Sequence, residues 1–205
     1  KYSGFDSDAN KYVIYYNDKD MSWNTYEVAT GKKTVLNTGM TVKFYDEEND
    51  VPALPNSYGI AGWSEDDKAV YLYDRYDIWQ FSPDGKSAPK NFTNGFGRTN
   101  NITFRVQRTN PDDRFFTKKD VLWLSAFNNT TKERGAYRKG LNDSKAPELV
   151  VMAPATYSTL VKAKDADVYL FDKSNYTTSP DVYVSRDNLK TATKLSSTNP
   201  QQSQY

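Results

Sequence analysis

The chain has 205 residues, 37% hydrophobic and 26% charged, with a formal net charge of +1; it reads as a folded chain with no field to attract nucleic acid or an anionic membrane. It contains no cysteine and no histidine, which removes disulfides, thiolate and imidazole metal sites, and every Ser-His or Cys-His catalytic pair. No run of 18 apolar residues is present, and residues 1–4 lack the apolar core of a secretion signal.

Aromatic residues make up 15% of the chain, with 16 Tyr, 10 Phe and 4 Trp, a bias that suits half-buried strands. In chain order, the first strong strand signal is Tyr12 to Asp18, followed by an alternating run Trp23 to Val28, a Thr30-Gly31 turn and a short closing strand Thr34-Val35-Leu36. A polar connection, 37–56, carries Asp46-Glu47-Glu48 between prolines. The same order then recurs: Ala69 to Asp74, Asp77 to Phe81, a Pro83-Asp84-Gly85 turn, and Lys90 to Thr93. Thr103 to Arg108 alternates, and 107–119 reads as another connection between units. Asp120 to Ser125 is the third strong run, closed by Leu149 to Val151; the polar stretch from Thr130 to Gly140 between them reads as a hairpin loop. Asp167 to Asp172, Pro180 to Val184 and Thr193 to Ser196 make the fourth unit. Three of the strong runs stop at an Asp (Asp18, Asp74, Asp172). These are turn formers rather than calcium ligands, because no Asp-x-Asp-x-Asp-Gly run supports them.

Aligning Val13, Val70, Val121 and Val168 gives separations of 57, 51 and 47 residues. A period of about 50 built from strand, hairpin and strand predicts propeller blades, each burying its faces against its neighbours. The expected fold is therefore all-β: a partial β-propeller of about four blades of four-stranded antiparallel sheet, one domain over residues 1–205. A β-sandwich of similar-looking strands is the alternative.

Gly62-Trp63-Ser64-Glu65-Asp66-Asp67-Lys68, then Asp77-Ile78-Trp79 and Asn91-Phe92-Thr93, resembles the blade signatures of the prolyl oligopeptidase family, its dipeptidyl peptidase-like bacterial members especially. Ser179-Pro180-Asp181-Val182-Tyr183-Val184, Lys194-Leu195-Ser196 and Asn199 to Gln202 resemble the last blade of such a propeller. The resemblance implies that serine catalysis belongs to an α/β-hydrolase domain following the propeller. Neither its nucleophile elbow nor its histidine is in this sequence. This chain would be a non-catalytic fragment that gates short peptide substrates for that domain, with no cofactor and no metal; the resemblance favours a periplasmic or secreted protein, and a cytoplasmic one stays open. A stand-alone scaffold propeller related to TolB, which docks proteins or ligands, is the alternative.

No catalytic residue is assigned. In the dipeptidyl peptidase-like relatives a pair of glutamates on the propeller holds the substrate's free amine, which puts Glu47 and Glu48 forward as substrate-binding residues; an ordinary solvated loop explains them equally. Arg105 sits on an alternating segment with the reach to contact a substrate carboxylate or carbonyl, or to pair with a neighbouring carboxylate. An incomplete ring also leaves its terminal blades uncovered, so self-association through them is expected.

Overall fold

The computed structural model describes residues 5–110 and 112–201; residues 1–4, Pro111 and Gln202 of the motifs above lie outside them. The described residues form four antiparallel four-stranded sheets, each a meander of consecutive strands. The first holds β1 (Phe5–Asp6), β2 (Tyr12–Asn17), β3 (Ser22–Glu27) and β4 (Lys33–Val35); the second holds β5 (Ile60–Trp63), β6 (Val70–Tyr73), β7 (Ile78–Phe81) and β8 (Lys90–Asn91). A short helix, α1 (Phe96–Asn100), leads to the third sheet, β9 (Ile102–Gln107), β10 (Val121–Asn128), β11 (Arg134–Gly140) and β12 (Glu148–Ala153). The fourth holds β13 (Thr156–Lys162), β14 (Tyr169–Asn175), β15 (Thr178–Ser185) and β16 (Thr193–Lys194). Successive sheets pack face to face, so the chain is a run of β-propeller blades.

The second strands show why. All four residues of β6, Val-Tyr-Leu-Tyr, are buried, because alternate side chains feed two different cores. Val70 and Leu72 pack with Tyr12, Ile14 and Trp23 of the first sheet. Tyr71 and Tyr73 pack with Phe104, Leu122 and Leu124 of the third. Trp123 and Ala136 then meet Tyr169 and Phe171 of the fourth. Four sheets thus share three cores, and no fourth core joins the last sheet to the first among the described residues. Full burial of a Val or Leu contributes about 1.5–3 kcal/mol, so these shared faces are the main source of cohesion.

The family-like motifs have local structural work to do. Ser64 donates to Asp66 at 2.7 Å, which also accepts the Lys68 N–H at 3.2 Å and pairs with Lys68 Nζ at 3.2 Å. Ser82, Asp84 and Lys86 repeat this turn in the same sheet. Trp63 stacks on Tyr12, with ring centroids 6.4 Å apart. Asp77 closes the outer hairpin of its sheet: it accepts the Thr93 hydroxyl at 2.6 Å, and that hydroxyl accepts the Ile78 N–H at 3.1 Å. Asp181, Ser196 and Val182 build the same staple in the fourth sheet, with both hydrogen bonds at 2.9 Å.

Four expectations need correction. The four valines are not equivalent: Val70 points back toward the first sheet and is fully buried, whereas Val121 faces the other way and is 47% exposed. The matching positions are Tyr12, Ala69, Val121 and Val168, since Tyr12, Ala69 and Val168 each give the carbonyl that accepts from the end of the first strand's connection (from Ser7, Ser64 and Ala163). A one-residue slip reverses the face of every side chain. Segment 107–119 does not join two sheets; it joins β9 to β10, held against the second sheet by Phe116, whose N–H donates to the Trp63 carbonyl. The stretch read as a hairpin loop contains strand β11, because Ala136 and Tyr137 are buried in opposite cores and Lys139 is covered, its ammonium capped by the Asp143 and Lys145 carbonyls. Asp172 is not a strand end; it pairs with Ser158 and Val182 inside β14.

Candidate functional site

Glu47, Glu48 and Arg105 converge on one region, where the connection between the first two sheets passes the β6–β7 turn and the inner strand of the third. Glu48 meets Arg75 at 2.6 Å, and Glu47 lies 3.6 Å from Arg98. The Arg75 and Arg98 guanidiniums both lie over Tyr76, at 5.1 and 4.9 Å from its centroid. Both glutamates therefore already face a cation, and a substrate ammonium would have to compete with an arginine.

The turn beneath them is rigid for a chemical reason. Asp74 and Asp77 are buried yet saturated with donors. Asp74 accepts the Tyr76 N–H at 2.6 Å, the Trp79 indole N–H at 3.0 Å and an Arg98 N–H at 3.4 Å. Asp77 also accepts the N–H groups of Gly97 and Arg98, at 2.9 and 3.1 Å. Helix α1 has no capping side chain of its own, so Asp77 supplies the missing acceptor from a neighbouring strand.

Among the described residues, Arg105 forms no ion pair with a carboxylate. Its guanidinium lies over Tyr73 at 4.6 Å and Tyr58 at 5.8 Å, and donates at 2.6 Å to the carbonyl of Phe104. Burial depresses its pKa, only partly offset by Tyr73 and Asp74. The Phe104 N–H donates to the Tyr76 carbonyl at 2.8 Å, and the Val106 N–H to the Tyr73 hydroxyl at 2.9 Å. The unpaired edge of β9 is thereby covered from the second sheet, which is how a native fold protects an inner strand edge.

A second site, at the opposite end of the strands, is absent from the sequence-based list. A cleft of about 320 Å³ opens between the third and fourth sheets, where β9 turns into the long 108–120 connection and β13 turns into β14. Its aromatic wall is Trp123 against Tyr169, an edge-on pair 5.2 Å apart. Arg138, directly across the ladder from Trp123, lies over that indole at 5.3 Å. Its polar rim includes Arg108, Lys119 and Lys162. The sequence signal for Arg138 is a cation inside a strand, flanked by buried Tyr137 and Lys139, and it is hidden by the overall polarity of that stretch.

Among the described residues, no group of three or more acidic side chains is placed to hold a metal ion, and no helix is long and apolar enough to cross a membrane.

Fold and sites define a β-propeller segment with two polar regions at opposite ends of its strands. No protein-family profile matches the chain, and no curated protein sequence matches it. Solved structures similar to it include TolB from Acinetobacter baumannii, at 14% identity and a TM-score of 0.49, and oligogalacturonate lyase from Vibrio parahaemolyticus, at 14% identity and a TM-score of 0.45. The alignments cover 95% and 94% of this chain but 43% and 64% of those proteins, so the chain spans less than two thirds of either.

Proposed function

We propose that this chain is a binding module: a propeller scaffold that docks a protein or ligand and performs no chemistry of its own. The observation that carries this is the cleft between the third and fourth sheets, which combines an aromatic wall with cations in a chain lacking histidine and cysteine. The motifs that resemble a peptidase propeller support the same view, because Asp77, Asp181 and the Ser64-to-Lys68 turn are each accounted for by closing and capping blades.

A narrower role, gating peptides for a serine hydrolase domain, rests on the sequence resemblance alone; the coding sequence after Tyr205 distinguishes the two. For the chain itself, a fluorophosphonate probe should label no serine, and short peptides should not be turned over. Stoichiometric labelling of one serine would overturn the binding-module assignment.

A further inference from the structure

We propose that the cleft between the third and fourth sheets is a receptor for a carboxylate on a small organic acid or at the end of a peptide, with Arg138 and Lys119 as the recognising cations. This rests on the chain being a binding module and specifies what it binds.

The charge inventory of the cleft leads there. Its acidic groups are already engaged: Asp120 accepts the Thr117 N–H at 2.8 Å and hydroxyl at 2.7 Å, Asp113 accepts from Asn110 at 2.8 Å, and Asp167 pairs with Lys162 at 3.4 Å. Arg108 is also engaged, donating to the Asp113 carbonyl and lying over Phe116 at 5.1 Å. Arg138 and Lys119 remain, and neither forms an ion pair among the described residues. Arg138 is the informative one. Its Nε is buried without a hydrogen-bond partner, so it is the far end of the guanidinium that a ligand in the cleft would meet, and Glu148, its neighbour across the ladder on β12, forms no ion pair with it. A buried donor left unmade is costly, and such a group in a native fold marks a side chain held in place by its packing.

A carboxylate is the acceptor that suits a guanidinium fork, since it accepts two parallel N–H bonds in one plane. Val121, 47% exposed on the cleft wall, supplies apolar area for the carbon body attached to it, whereas Trp123 and Tyr169, at 4% and 3% exposed, add only ring edges. The volume, about 320 Å³, sits at the small end of ligand pockets, on the order of 300–1,000 Å³. It suits a compact acid or the last residue or two of a peptide.

Two acid–amide pairs test this on the whole chain: 3-phenylpropionate against 3-phenylpropionamide, and acetyl-Gly-Phe with a free or an amidated C-terminus. Calorimetry gives affinities, and the Arg Nε–Hε region of a nitrogen–proton NMR spectrum gives the contact. At least one acid should bind tenfold or more tightly than its amide, weaken with added salt, and shift the Arg138 resonance. The pair that responds identifies the source of the carboxylate. Arg138→Gln should reduce that acid to the affinity of its amide. Lys119→Gln, on an exposed position, should weaken it several-fold whether or not the arginine variant folds. Glu148→Gln should not weaken it. Equal binding of acid and amide overturns the carboxylate assignment and leaves the binding module standing. Silence toward all four compounds, or acid binding unchanged by Lys119→Gln and Arg138→Gln, overturns it as well. Labelling of a serine by the fluorophosphonate probe is the separate result that removes the binding module itself.

Discussion

The second and fourth sheets close their outer hairpins with one device in two different settings. In both, an aspartate, just before β7 or within β15, grips a hydroxyl 16 or 15 residues downstream, and that hydroxyl takes the next backbone N–H. Around Asp77 the device is embedded: the carboxylate is 1% exposed and also anchors Gly97 and Arg98 at the start of α1. Around Asp181 the carboxylate is also covered, at 3% exposed, but its partners reach solvent: it meets Lys194, whose side chain is 45% exposed, at 2.6 Å, and the N–H of exposed Thr198 at 2.9 Å. The difference lies in what each would leave behind. Removing Asp77 takes the acceptor from the buried Gly97 N–H and the strongest partner from the buried Thr93 hydroxyl, whereas the partners of Asp181 can turn to solvent.

The sharpest way to break this comparison is Asp77→Ala, which should cost about 3 kcal/mol, since it orphans two backbone N–H groups and leaves the Thr93 hydroxyl only the Asn91 side chain at 3.1 Å. Urea denaturation reads it as a lower midpoint; a midpoint like that of the parent would show that the embedding contributes nothing. Gly97→Ala comes next. A Cβ there would stand 2.7 Å from the Ile102 carbonyl, and 2.8 Å from both the Asp77 carboxylate and the Tyr76 carbonyl. Backbone cannot yield as a flexible side chain does, so a loss of about 1–3 kcal/mol is expected by the same assay.

Asp181→Asn should cost less than either, and its effect should depend on pH. Lys194, then the Thr198 N–H and the Ser196 hydroxyl, outweigh partial desolvation and hold the Asp181 carboxyl at about 2. Its folded-state value is depressed, so its contribution is complete above the ordinary carboxylate range and is lost as pH falls from about 4 toward 2. Thermal midpoints of parent and variant should therefore differ at pH 6 and converge near pH 2; a constant gap would break the assignment. Smallest of all is Glu48→Gln, since Glu48 is 68% exposed in its pair with Arg75; a change of no more than about 0.5 kcal/mol is expected, shrinking with salt.

The same contrast between embedded and open groups explains what is legible in the sequence. The second strands of the middle sheets stand out because β6 and β10 lie between two cores and read as continuous apolar runs. The hairpin motifs stand out because Asp, Ser and Gly have fixed positional roles in turns. β13 is different: five of its seven residues are Thr, Ser, Lys or Tyr, and only Leu160 is buried. β11 is masked because its burial includes Lys139, whose ammonium is satisfied by carbonyls that no local pattern announces. At the sites, Glu47, Glu48 and Arg105 can be singled out as residues, but their partners Arg75, Arg98, Tyr58 and Tyr73 come from other elements. Arg138 acquires its meaning only from Trp123 across the ladder and Tyr169 on the next sheet.

The sharing of three cores among four sheets makes cohesion in this chain a property of neighbours. The second and third sheets each contribute to two cores, and the fourth to one, a cluster of six buried residues against thirteen in the core between the second and third. Opening of such a stack is then directional, with its end members able to detach while the middle stays closed. The cleft lies at the junction of the third sheet with the fourth, so its two walls belong to a firmly held member and a loosely held one. A molecule that touches both Trp123 and Tyr169 would act as a clasp on the least tightly held joint of the stack, and occupancy and integrity would rise together.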